Sequence, residues 1–165
     1  MPGRLLDEIR QGKPFSSVEV EASLNLARTS EALRRGVHDL LKTQALTESA
    51  YNVLRILRGA GEQGRTCGEI AARMVVHDPD VTRLLDRLEQ RELVARDRSS
   101  ADRRVVVARL TDAGRALCTE LEGPLDDLHR RQLSHLGPDR LAQLIALLED
   151  IRSHLAPPEP NPEQP

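Results

Sequence analysis

Residues 66–116 constrain the fold more than any other stretch, because several boundary signals fall there in one fixed order. Thr66-x-x-Glu69 is a capping box and opens a brief helix, EIAARM. Asp78 followed by Pro79 starts a second helix, the aspartate as N-cap and the proline at the first helical position, where a missing N–H costs nothing. Two runs rich in Val and Arg, 94–98 and 104–110, flank Ser99, Ser100, Ala101, Asp102 and Arg103, a hairpin composition. Thr111 then caps a departing helix. A helix in this setting suits the DNA major groove, and an arginine-tipped hairpin beside it reaches the adjoining minor groove.

The flanking segments are helical. Ser16-x-x-Glu19 predicts a helix to about Lys42, with Val18, Ala22, Leu26, Leu33, Val37 and Leu41 at helical spacing. A second helix from Thr47 carries Ala50, Val53, Leu54 and Leu57 on one face, with Gly59 and Gly61 as stops. A short extended piece at Arg65 precedes the capping box, whose helix turns Ile70, Ala71 and Met74 inward. The next helix buries Val81, Leu84, Leu85 and Leu88 and leaves Thr82, Arg83, Asp86, Arg87 and Gln90 on its opposite face. After Thr111 a long helix repeats Ala113, Leu117, Leu121, Leu125, Leu128 and Leu136, with a kink expected at Pro124. Pro138 starts the last helix, with Leu141, Leu144, Ile145, Leu148, Ile151 and Leu155.

The expected fold is therefore mainly α with a small β-hairpin wing, a winged helix-turn-helix in the order α-α-β-α-α-β-wing-β-α-α. Its expected divisions are an N-terminal extension (1–15), a dimerisation helix (16–46), the winged module (47–111), two further dimerisation helices (112–155) and a disordered proline-rich tail (156–165). The outer helices have apolar faces too wide for so small a module to cover. They are expected to interdigitate with those of a second copy, giving a C2 homodimer with two reading heads.

Charge is distributed unevenly. The net charge of the 165-residue chain is −2, yet residues 65–115 hold 11 arginines against 9 acids, and residues 96–109 hold five arginines against Asp97 and Asp102. Screening confines each patch to roughly 8 Å at physiological salt, so a cationic wing on an acidic body still attracts phosphate. No apolar run reaches the roughly 18–20 residues of a membrane span, and the first residues show no signal peptide, so a cytoplasmic protein is expected. Cys67 and Cys118 lack CxxC spacing and read as small buried residues. The five histidines form no i,i+4 pair, and no phosphate loop or nucleophile elbow is present, so neither a metal, a cofactor nor an enzyme is expected.

Taken together, EIAARM, DVTRLLDRLEQRELV, the wing triplet Asp102-Arg103-Arg104 and the exit LTDAGRAL resemble the MarR family of bacterial winged-helix transcriptional regulators over roughly residues 16–155. The resemblance implies a homodimer joined by its terminal helices, repressor-type binding to double-stranded DNA, and release by a small-molecule effector. Arg83 is then the expected base reader and Arg87 a phosphate contact, flanked by Thr82. Arg104 matches the family's wing arginine, with Arg103 beside it, and Asp102 braces the wing against Arg98 or Arg104. Asp80 either repels phosphate or accepts from a cytosine amine. His38 and Tyr51 are candidates for the effector cleft. Two alternatives stay open: a cysteine-based redox sensor of the same fold, and a winged-helix protein-interaction module. Two departures from the family stand out. Arg91-Glu92-Leu93-Val94 replaces an Arg-Gly-Leu-Val, so a left-handed residue there would strain Glu92. Asp78-Pro79-Asp80 stands where hydroxyl residues are common.

Overall fold

The computed structural model describes residues 4–98 and 105–156. Its elements run α1 (Arg4–Glu8), α2 (Val18–Lys42), α3 (Glu48–Ala60), β1 (Arg65–Thr66), α4 (Cys67–Ala71), α5 (Val81–Gln90), β2 (Val94–Arg98), β3 (Val106–Leu110), α6 (Asp112–Leu133) and α7 (Gly137–Leu155). The chain divides into two compact units after Leu125.

The first unit contains the core. Its antiparallel sheet has the order β1-β3-β2, with Val94 opposite Leu110 and Arg98 opposite Val106. Period-2 alternation sends Val94 inward from β2, and Val107, Ala108 and Leu110 are buried on β3. The same core takes in the buried Val53, Leu54 and Leu57 of α3, Ile70 of α4, the stripe Val81, Leu84, Leu85 and Leu88 of α5, and Leu117, Cys118 and Leu121 of α6. Each fully buried Leu, Ile or Val contributes roughly 1.5–3 kcal/mol.

At three threonines the predicted helix starts hold. Thr47 accepts from Ala50 N at 3.1 Å, and the Thr66–Glu69 box closes in both directions. The Thr111 hydroxyl accepts from Gly114 N at 3.0 Å and donates to Glu92 O at 2.6 Å, tying α6 to the end of α5. Where two candidates compete, the start moves. Ser17, not Ser16, caps α2, because its extended backbone (φ −157°) lets the hydroxyl face Val20 N. This places Val20 rather than Glu19 at the third helical position. Asp80, not Asp78, caps α5. Its carboxylate accepts from Arg83 N at 3.0 Å, while Asp78 accepts from Asp80 N and turns the chain beforehand.

Other expectations are corrected too. Ala71 and Ala113 are exposed, Gly59 lies inside α3, and Leu136 belongs to a 3-10 turn, Ser134–Leu136, after α6 has ended at Leu133. The N-terminal extension holds α1, whose Leu5 is buried.

The end of α5 closes as a Schellman motif. Glu92 N donates to Glu89 O (2.8 Å) and Leu93 N to Leu88 O (3.0 Å). Glu92 accordingly adopts φ 55°, the left-handed conformation that favours glycine. At Gly114 the opposite holds: a Cβ there would sit 2.1 Å from Leu93 O, so only glycine lets α6 pass β2 so closely.

The long outer helices bury little. On α2 Val18 is 73% exposed and Val20, Leu24 and Leu26 are each 40% exposed, while Leu41 is buried. In the second unit, no residue of α7 is buried, and Ile145, Leu147, Ile151 and Leu155 stand open.

Candidate nucleic-acid interface

α5 turns its apolar stripe inward and presents Thr82, Arg83 and Arg87 to solvent, as its spacing predicts. Arg83 lies 3.6 Å from the capping carboxylate of Asp80, a loose pair with the guanidinium 71% exposed. Arg87 has no carboxylate partner among the described residues. Thr82 faces the short helix α4, its hydroxyl 3.4 Å from the Cys67 thiol. Asp80 is committed to the cap through one carboxylate oxygen.

The acids of α5 are taken by the wing. Arg96 of β2 reaches Asp86 at 2.7 Å with Nη2 and donates to Glu89 through Nε at 2.9 Å. The Arg96 backbone N–H also donates to Glu89, at 3.2 Å. The guanidinium holds the Glu89 carboxyl below its ordinary range, and Glu89 in turn raises Arg96, so both partners favour the charged pair. This side chain had a sequence signal. In V-A-R-D-R, Arg96 stands two residues after Val94 and therefore on the same inward face. A second brace crosses the sheet, where Arg109 Nη1 lies 3.6 Å from Asp97 and Arg109 Nε donates to Glu62 O at 2.8 Å.

Arg91, at the C-cap of α5, donates to Ala45 O at 2.8 Å and Gln44 O at 2.9 Å. It thereby fastens α5 to the turn that joins α2 and α3. Gln44 also donates to Glu120 of α6 at 2.8 Å. No sequence pattern announces this contact, because its carbonyl acceptors exist only once the turn is folded.

Other expected site residues are scattered. Arg98 is exposed at the end of β2, without a carboxylate partner among the described residues. Asp102, Arg103 and Arg104 lie outside the described residues. His38 is exposed on α2. Tyr51 is half-buried on α3, its hydroxyl pushed up in pKa by burial, with Arg55, Cys118 and Glu122 as charged or titratable neighbours. Cys118 is buried and its thiol likewise raised, which opposes thiolate chemistry. Cys67 is half-buried rather than buried. It lines a largely apolar hollow of about 260 Å³ with Thr82, Leu85, Arg96, Val106 and Ala108. Among the described residues no three metal-ligating side chains converge, and no helix is long and apolar enough to cross a membrane.

A MarR family model matches residues 46–106, the stretch containing the short helix, the reading helix and most of the wing. The HTH-type transcriptional repressor MdtR of Bacillus subtilis is 31% identical over 123 residues, 74% of this chain and 78% of that protein. The chain belongs to the MarR family. It is a winged-helix regulator of transcription, and solved relatives share its architecture. The MarR transcription factor of Planctomyces limnophilus is 42% identical, with a TM-score of 0.64 covering 82% of this chain and 98% of that one. A cysteine-to-serine variant of Escherichia coli MarR complexed with operator DNA is 25% identical, with a TM-score of 0.72 covering 90% of this chain and 99% of that one.

Proposed function

We propose that two copies of this chain bind a pseudo-palindromic operator in double-stranded DNA as a cytoplasmic repressor and leave it when a small molecule binds. The observation that carries the reading is the outer face of α5, where Arg83 and Arg87 stand exposed while Asp86 and Glu89 are held by Arg96. Arg83 reads a base, most simply guanine O6 and N7, with Thr82 beside it and Arg87 on a phosphate. Asp80 caps the helix through Oδ1 and faces the Arg83 guanidinium with Oδ2 at 3.6 Å, an oxygen that a cytosine amine would have to share with Arg83. Arg103 and Arg104 enter the minor groove from the wing tip, and Asp102 steadies that tip through Arg98 or Arg104. The relative MdtR is a transcriptional repressor, and the E. coli variant is complexed with operator DNA.

For the effector, Tyr51 and His38 are the proposed lining of its cleft. Tyr51 is the better supported of the two, since it is half-buried with its hydroxyl near α6.

The test is selection of bound duplexes from a random pool, followed by gel-shift titration over several salt concentrations. Arg83→Ala should weaken the selected operator by about 1–3 kcal/mol and relax discrimination at one base pair. Arg104→Ala should weaken all sequences alike and lower the salt slope by about 1. Full affinity in Arg104→Ala would remove the wing from the interface. Absence of binding to any duplex at low salt would end the reading.

A further inference from the structure

We propose that Arg96 is a positioning residue for DNA binding, acting by withdrawing the two carboxylates of the reading helix from its two DNA-facing arginines. The inference rests on the DNA-binding reading above and concerns a residue that would touch no DNA itself.

Within α5 the charges cancel, two arginines against Asp86 and Glu89. A neutral helix is a poor phosphate ligand. Asp86 also follows Arg83 by three residues, the spacing at which a helix closes an ion pair on its own surface. Left alone, Asp86 would compete with DNA for Arg83, and both acids would repel the backbone. The structure shows a different pairing. Arg96 holds Asp86 at 2.7 Å and engages both oxygens of Glu89, one through the side chain and one through its own backbone N–H. Its side chain is 26% exposed, against 45% for Asp86 and 38% for Glu89, so the cation sits beneath the acids and turns them toward the wing. Arg83 keeps only the loose 3.6 Å contact to the capping Asp80, and Arg87 pairs with no acid among the described residues.

A simple brace between wing and helix would use the same contacts, so the experiment must separate the two. Three proteins are compared with the wild type on the selected duplex by fluorescence anisotropy across salt, with thermal melts as the folding control. Arg96→Gln should lose about tenfold in affinity and show a shallower salt slope, because Arg83 is drawn onto Asp86. The triple variant Arg96→Gln, Asp86→Asn, Glu89→Gln lacks the brace but also lacks the competing acids. It should return to within about threefold of wild type and recover the salt slope. If the triple variant stays as weak as Arg96→Gln, the brace or a direct DNA contact is responsible and sequestration is wrong. Wild-type affinity in Arg96→Gln overturns it equally.

Should Arg96→Gln fail to fold, Asp86→Asn with Glu89→Gln in the presence of Arg96 decides the matter. Sequestration requires affinity at or above wild type, and a fall of more than about threefold refutes it. These outcomes are read only against a wild type that binds. A wild type without affinity for any duplex refutes the DNA reading itself, a result distinct from each of those above.

Discussion

Glu92 sits at the position after the α5 C-cap with φ 55°, held there because its N–H and its carbonyl are both used, by Glu89 O and by the Thr111 hydroxyl. A side chain in that conformation costs about 1–2 kcal/mol, which glycine avoids, although glycine gives back part of the gain by loosening the unfolded chain. Glu92→Gly should therefore stabilise the protein by about 1 kcal/mol and raise its melting temperature by roughly 2–4 °C. A calorimetric melt that is unchanged or lowered would show that the turn is not strained. The sequence pointed to this residue because the departure from glycine is visible in one dimension. Arg96 was not picked out, since its partners Asp86 and Glu89 are seven to ten residues away and only the strand-helix contact brings them together. Local backbone demands are legible in a chain; the choice of ion-pair partner is a tertiary outcome.

Boundaries of elements follow the same logic. Thr47, Thr66 and Thr111 each cap where expected, although Asp112 follows Thr111 directly and Ser49 stands two residues after Thr47. Ser16 with Ser17, and Asp78 with Asp80, offered two hydroxyls or carboxylates within a few residues. There the winner is set by backbone angles that composition does not reveal. α1 has no sequence signal because five residues are too few for a periodic pattern, and its Leu5 is buried.

α4 is equally short but is fixed at its start by the Thr66–Glu69 box, which yields a prediction in pH. The Thr66 N–H and hydroxyl hold the Glu69 carboxyl below its ordinary value of 4.5. A carboxyl depressed in the folded state binds protons more weakly there than in the unfolded chain. Its contribution to stability is thus complete above about pH 4.5 and is lost as pH falls through the lowered value. Between pH 6 and pH 3 the melting temperature of the wild type should fall more steeply than that of Glu69→Gln. Parallel curves would mean that the box adds nothing to α4.

At the scale of the whole molecule, the long helices α2 and α7 each leave several large apolar residues facing water. Val18, Val20, Leu24 and Leu26 of α2 and Ile145, Leu147, Ile151 and Leu155 of α7 are all exposed in the single chain. Scattered surface leucines are ordinary, but four large apolar residues open on α7 alone are a surface that a second copy could cover. Covering one isoleucine stabilises by roughly 1.5–3 kcal/mol, and burying a carboxylate in its place reverses the sign. Ile145→Asp with Ile151→Asp should therefore convert a particle of two chains into one of 18.4 kDa by light scattering. The consequence for DNA is separable from the fold. Each head keeps Arg83 and Arg87, so a monomer should still bind a half-site weakly, but it loses the linked second head, worth about 10²–10⁴ in affinity. The proposed dimer would set its two heads on half-sites about 34–36 Å apart, so inserting five base pairs between them should weaken the wild type strongly and the monomeric variant hardly at all. Equal sensitivity of both proteins to that insertion would show that α7 does not join the heads.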